Sequence, residues 1–136
     1  MTSQNVRLYQ EHNRPGRHAL QPERNSVMLP SPGNPRSAPI WENYVVAQTV
    51  QASLGLIPAH ALAVGVEVDG AKVRLRFQLA RISEPDLQDM MDIHDGLQDL
   101  VGESVEVSLR HDVMAQRAIS PIDRVCWVYL ARQDES

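Results

Sequence analysis

Beyond residue 39, three histidines lie where they could share a proton or hold a metal: His60, His94 followed by Asp95, and His111 followed by Asp112. A histidine titrating beside a carboxylate is a general-base candidate, and histidines with carboxylates make a metal-ligand set. The spacing argues against both. Nothing places a nucleophile beside His94, and a repeated His-Asp dipeptide is not a ligand spacing on a helix face or a strand. His94 reads instead as a core-edge histidine with a satisfied ring nitrogen. The chain has no G-x-x-x-x-G-K-S/T loop, G-x-G-x-x-G, H-E-x-x-H or G-x-S-x-G. Ser31, Ser37 and Ser83 have no acid–base partner in view, and Cys126, the one cysteine, can neither close an internal disulfide nor start a zinc site. We expect no catalytic residue, no metal and no cofactor, and therefore a protein that is not an enzyme.

Two charged rows remain as candidates for binding. Asp89, Asp92, Asp95, Asp99 and Glu103 recur at helical spacing, and no Lys or Arg occurs from Glu84 to Glu103. A purely structural row would be interleaved with lysines four residues away. Such a stripe suits a basic protein surface, or imitates the spaced negative charge of a nucleic acid in a basic cleft. The ordinary alternative is the solvated face of an amphipathic helix. The second row is basic: Lys72, Arg74 and Arg76 alternate along one stretch, and Trp127 and Tyr129 alternate along another. An open sheet face presenting Arg74, Arg76, Trp127 and Tyr129 could stack and neutralise single-stranded RNA. Its ordinary alternative is a sheet edge protected by charge.

The elements that would position these residues follow from periodicity and punctuation. Pro39 can open a helix over about Ile40 to Leu54. Val46, Val50, Leu54 and Ile57, with Ala47, would form its buried face, and Gly55 with Pro58 would end it. Ala61 to Arg81 reads as a β-hairpin. With Asp69-Gly70 at the centre of a type I′ turn, Val66 faces Val73, Val64 faces Leu75 and Leu62 faces Phe77. Glu67 then faces Lys72, Gly65 faces Arg74 and Ala63 faces Arg76, on the opposite side.

Ser83 caps a second helix, with Glu84, Pro85 and Asp86 in its first turn. Leu87, Met90, Met91, Ile93, Leu97, Leu100 and Val101 would face its core, and Gly102 would stop it. Val105, Val107 and Leu109 alternate with polar residues in a third strand. Arg124 to Ala131 forms a fourth, apolar on both faces and so expected to be central or covered on both sides. The segment His111 to Asp123 is long for a plain loop. The fold class is α+β, a two-layer sandwich in the order helix, strand, strand, helix, strand, strand. Two helices would cover one face of a four-stranded, mostly antiparallel sheet. Two arrangements stay open: a βαββαβ chain whose first strand has moved to the end, or two αββ halves.

Composition divides the 136 residues in two. Residues 1–39 hold six of the nine prolines and no apolar periodicity, which describes a disordered Pro-rich arm; residues 40–136 form a single domain. Five arginines against two acids leave the arm at +3, so the domain carries −7 of a chain whose net charge is −4. An acidic domain argues against nucleic acid and for a protein partner with a basic surface. No apolar run approaches the ~20 residues of a membrane span, and the polar start lacks a signal core. A cytoplasmic location with no membrane contact is the expectation, and a homodimer pairing edge strands or covering Trp127 stays open.

Leu54-Gly55-Leu56-Ile57-Pro58, then Ala63-Val64, Asp69-Gly70, Leu75-Arg76-Phe77 and Ser83-Glu84-Pro85-Asp86 carry a resemblance. Over about residues 45–110 the chain resembles small uncharacterised bacterial proteins of immunity type, with a helix, a D-G hairpin and an acidic helix. The resemblance implies a non-enzymatic module that neutralises a partner toxin. It supplies no catalytic residue to carry over, and the Pro-rich arm departs from it.

Overall fold

The computed structural model describes residues 38–133. The predicted arm falls outside these residues, save Ala38 and Pro39, which open the first helix. The elements are α1 (Ala38–Ser53), β1 (Ala61–Asp69), β2 (Lys72–Leu79), α2 (Glu84–Val101), β3 (Glu106–Val113) and β4 (Cys126–Leu130). The sheet order is β3-β2-β1-β4. β1 pairs antiparallel with β2 and β4, while β2 and β3 run parallel. A parallel neighbour needs a long crossover, and α2 supplies it. Neither arrangement left open by the sequence is present. β4 lies at the edge beside β1, not centrally, and makes no hairpin with β3.

The hairpin forms in a different register from the one Asp69-Gly70 predicts. The two loop residues are Gly70 and Ala71, and only Gly70 has positive φ, at 60°. That is the type II′ pattern, with glycine first, and it spares Asp69 a left-handed backbone. Asp69 instead faces Lys72, and Val68 faces Val73, Val66 Leu75, Val64 Phe77, Glu67 Arg74 and Gly65 Arg76. Moving the turn by one residue slides the pairing by two, so every side chain keeps its face. The core face therefore survives the correction, except at Leu62. A register shift between Ala61 and Ala63 takes it out of the alternation, and it is half-buried.

Val64, Val66, Val73, Leu75, Phe77 and Leu79 meet Trp41, Val45, Met90, Ile93, Leu97, Val105 and Val107 in one core between the sheet and both helices. α1 turns a different face inward from the predicted one. Trp41, Val45, Thr49 and Ser53 are buried, whereas Val50 and Leu54 are exposed. The apolar spacing misled because two hydroxyl residues sit in the core. Thr49 Oγ donates to the Val45 carbonyl at 2.8 Å and Ser53 Oγ to that of Thr49 at 2.7 Å, so neither buries an unmet donor. Trp41 Nε1 donates to the Gly70 carbonyl at 2.8 Å and pins the start of α1 to the hairpin tip. On α2, Leu87 and Met91 were also expected inward, and both are exposed.

Candidate functional site

The first turn of α2 is wired on every side. Ser83 is its N-cap, and Asp86 completes a capping box: the Asp86 amide donates to Ser83 Oγ, and Asp86 Oδ2 accepts from the Ser83 amide and hydroxyl, both at 2.9 Å. His60, on the loop before β1, brings Nδ1 to 2.6 Å from the same oxygen. Its Nε2 accepts from Arg81 Nε at 3.0 Å, which leaves Nδ1 to donate to the Asp86 carboxylate. Burial by itself would raise the pKa of Asp86. The hydrogen bonds from His60 and Ser83 outweigh it and hold the carboxyl at about 2. The Ser83 hydroxyl donates to the carboxylate and not to the imidazole, so the trio is not a nucleophile–base pair. Its product is a fixed junction between α2 and the start of β1. The capping residues were legible in the sequence. His60, which arrives from across the chain, was not.

Beyond that turn Asp89, Asp92, Asp95 and Asp99 follow along α2, and Glu103 lies just past its C-cap, Gly102. Asp95, Asp99 and Glu103 are exposed, while Asp89 and Asp92 are half-buried. Asp92 accepts from Gln88 Nε2 at 3.0 Å, and Asp95 lies 3.0 Å from His94 Nδ1. No basic residue stands in the last turn of α2. Asp95 and Asp99 therefore lie toward the negative end of the helix dipole and four residues from each other. Both placements cost a few tenths of a kcal/mol per pair.

His94 is the satisfied histidine the sequence suggested: Nε2 lies 2.8 Å from the Val107 carbonyl. Gln98 also reaches β3, donating to the Val105 carbonyl at 2.7 Å and accepting from the Val107 amide at 3.4 Å. Among the described residues, no group of three or more His, Cys, Asp or Glu side chains is placed to hold a metal.

The basic and aromatic residues are brought together only in part: Arg76 and Trp127 flank Gly65 on the face opposite the helices, and Tyr129 does not join them. β4 must be reached from the far edge of the sheet, so the segment after β3 crosses the face opposite the helices. Gln78 anchors it there. Its amide donates to the Ala118 carbonyl at 2.7 Å and accepts from the Ala118 amide at 2.8 Å, and it is buried. Arg117 also donates to the Ala131 carbonyl. Under this strap, a Cβ on Gly65 would stand 2.5 Å from Val125 Cγ1 and 2.8 Å from Trp127 Cε3, so the side chain must be absent for the strap and Trp127 to lie down.

A register shift in β4 sets Trp127 against Gly65 but Tyr129 against Val64, so Tyr129 packs on the helix side. Arg76 is held by Glu67 and lies 3.7 Å from Asp112, whose carboxylate also meets Arg110 Nε at 3.4 Å. Of the four residues of the predicted RNA face, only Arg74 is exposed. The long His111–Asp123 segment marked this strap in the sequence, but its path could not be read without the strand order.

Compared with known proteins, the chain matches no family model and no curated protein. Among the described residues, no helix is long and apolar enough to cross a membrane.

Proposed function

We propose that this chain is a non-catalytic protein-binding module that engages a partner's basic surface through α2, in the manner of an immunity-type protein that neutralises a toxin. One observation carries the reading. Asp92 at the middle of α2, Asp95 and Asp99 in its C-terminal half and Glu103 just past its C-cap form an acidic row that no Lys or Arg of the helix offsets. A row whose charge meets no Lys or Arg within its own helix is suited to meet a basic surface outside the molecule. Complementary charge of this kind sets encounter rate and partner choice.

The test is capture of a partner from the native host with the full chain, followed by titration at rising salt. Affinity is expected to fall with ionic strength. The combined change Asp92→Asn, Asp95→Asn and Asp99→Asn is expected to weaken binding about tenfold or more, at up to about 1 kcal/mol per charge. A partner bound with unchanged affinity by the triple variant would place the interface elsewhere.

A further inference from the structure

We propose that a second copy of this chain docks on β3, edge to edge and antiparallel about a two-fold axis at His111, joining two sheets into one of eight strands. The backbone defines the open length. The amides of Glu106 and Met114 donate to the carbonyls of Ala71 and Leu79, so even-numbered residues of β3 point their hydrogen-bonding groups into the sheet. Odd-numbered ones point out. At Val105 and Val107 the outward groups are taken by Gln98 and His94 of α2. Leu109, His111 and Val113 are left, and β3 has no neighbour on that side among the described residues. An unpaired row of this kind is a template for another strand.

The side chains choose the occupant, because the row is complementary to itself. In an antiparallel pair centred on His111, the outward residues fall opposite one another: His111 against its own copy, and Leu109 against Val113 of the second copy. Each opposed pair exchanges both hydrogen bonds. Arg110 then stands opposite Asp112 of the second copy, and Asp112 opposite its Arg110, in the close non-hydrogen-bonded pairing. Glu67, Arg76, Asp112 and Arg110 already alternate in charge across one chain's sheet, and Arg110, half exposed, ends the row at the edge. The second copy continues it.

On the helix side, Val113 is 57% exposed, and Leu87 and Met91 are 42% and 48% exposed. Leu87 and Met91 share the flank of α2 with His94 and Gln98, the flank whose side chains reach the edge of β3. The dimer covers these apolar groups together with the strand.

Sedimentation of the full chain should show a dimer, with His111 and Val113 amides whose hydrogen exchange slows as concentration rises. His111→Pro removes an outward donor and no bond within the chain's own sheet. It is expected to give a monomer with an unchanged circular dichroism spectrum. Arg110→Asp and Asp112→Arg provide a second route that does not depend on the first variant folding. Each alone sets like charges across the axis and should sediment as a monomer. Mixed, the two set opposite charges across it and should form a heterodimer. A chain that stays monomeric at high concentration, its edge merely guarded by charge or covered by its own first 37 residues, would overturn the proposal. So would a dimer indifferent to these variants, or a mixture of the two charge variants that does not associate.

Discussion

Asp86 and Asp99 stand on the same helix and differ in every respect that sets the energy of a carboxylate. Asp86 is buried, accepts from Ser83 and His60, and sits at the positive end of the helix dipole. Asp99 is exposed and lies toward the negative end, four residues from Asp95 and four from Glu103. Folding lowers the free energy of the first charge, whereas the second meets neither a donor nor a cation of its own helix. The stabilising acid explains itself within the molecule. The row has no such explanation within its own helix, and that is the basis for proposing a partner for it.

The largest way to break this contrast is Asp86→Ala. It strips the cap from α2 and leaves His60 and the Ser83 amide without their acceptor. A loss of about 2–4 kcal/mol is expected in urea unfolding at neutral pH. The pH dependence follows in sign from the lowered pKa. The folded value of about 2 lies below the ordinary 3.8. The contribution, about 2–3 kcal/mol, is therefore complete above about pH 4 and disappears as pH falls toward 2. Asp86→Asn should flatten that part of the unfolding midpoint's pH profile. His60→Ala keeps the carboxylate but removes one charge-assisted donor, for about 2 kcal/mol, and should move the acid transition to higher pH.

At the small end, Asp92→Asn, Asp95→Asn and Asp99→Asn together should raise stability by about 1 kcal/mol, read as a higher unfolding midpoint. A row that proved stabilising would erase the contrast.

The sequence made the two helices, the hairpin and the α+β order legible, because turn glycines, caps and alternation are local signals. Ser83 as cap and the acidic row were read from spacing alone. The errors share a cause. The turn at Gly70-Ala71 differs from Asp69-Gly70 by one residue, and local propensity accepts either. The inward face of α1 was missed because Thr49 and Ser53 satisfy their hydroxyls on their own helix and so behave as core residues. Tyr129 was placed beside Trp127 by strict alternation, which one bulge in β4 undoes. The strap over Gly65, the pairing of His60 with Asp86 and the open edge of β3 all depend on strand order, which long-range packing decides.

Titrating a captured partner with the triple Asn variant, while following its unfolding midpoint, puts the contrast along α2 to the most direct test. The account predicts a midpoint at or above that of the unaltered chain together with affinity lowered about tenfold or more and a shallower salt dependence. A lowered midpoint with unchanged affinity would show that the row serves the fold and that the partner binds elsewhere.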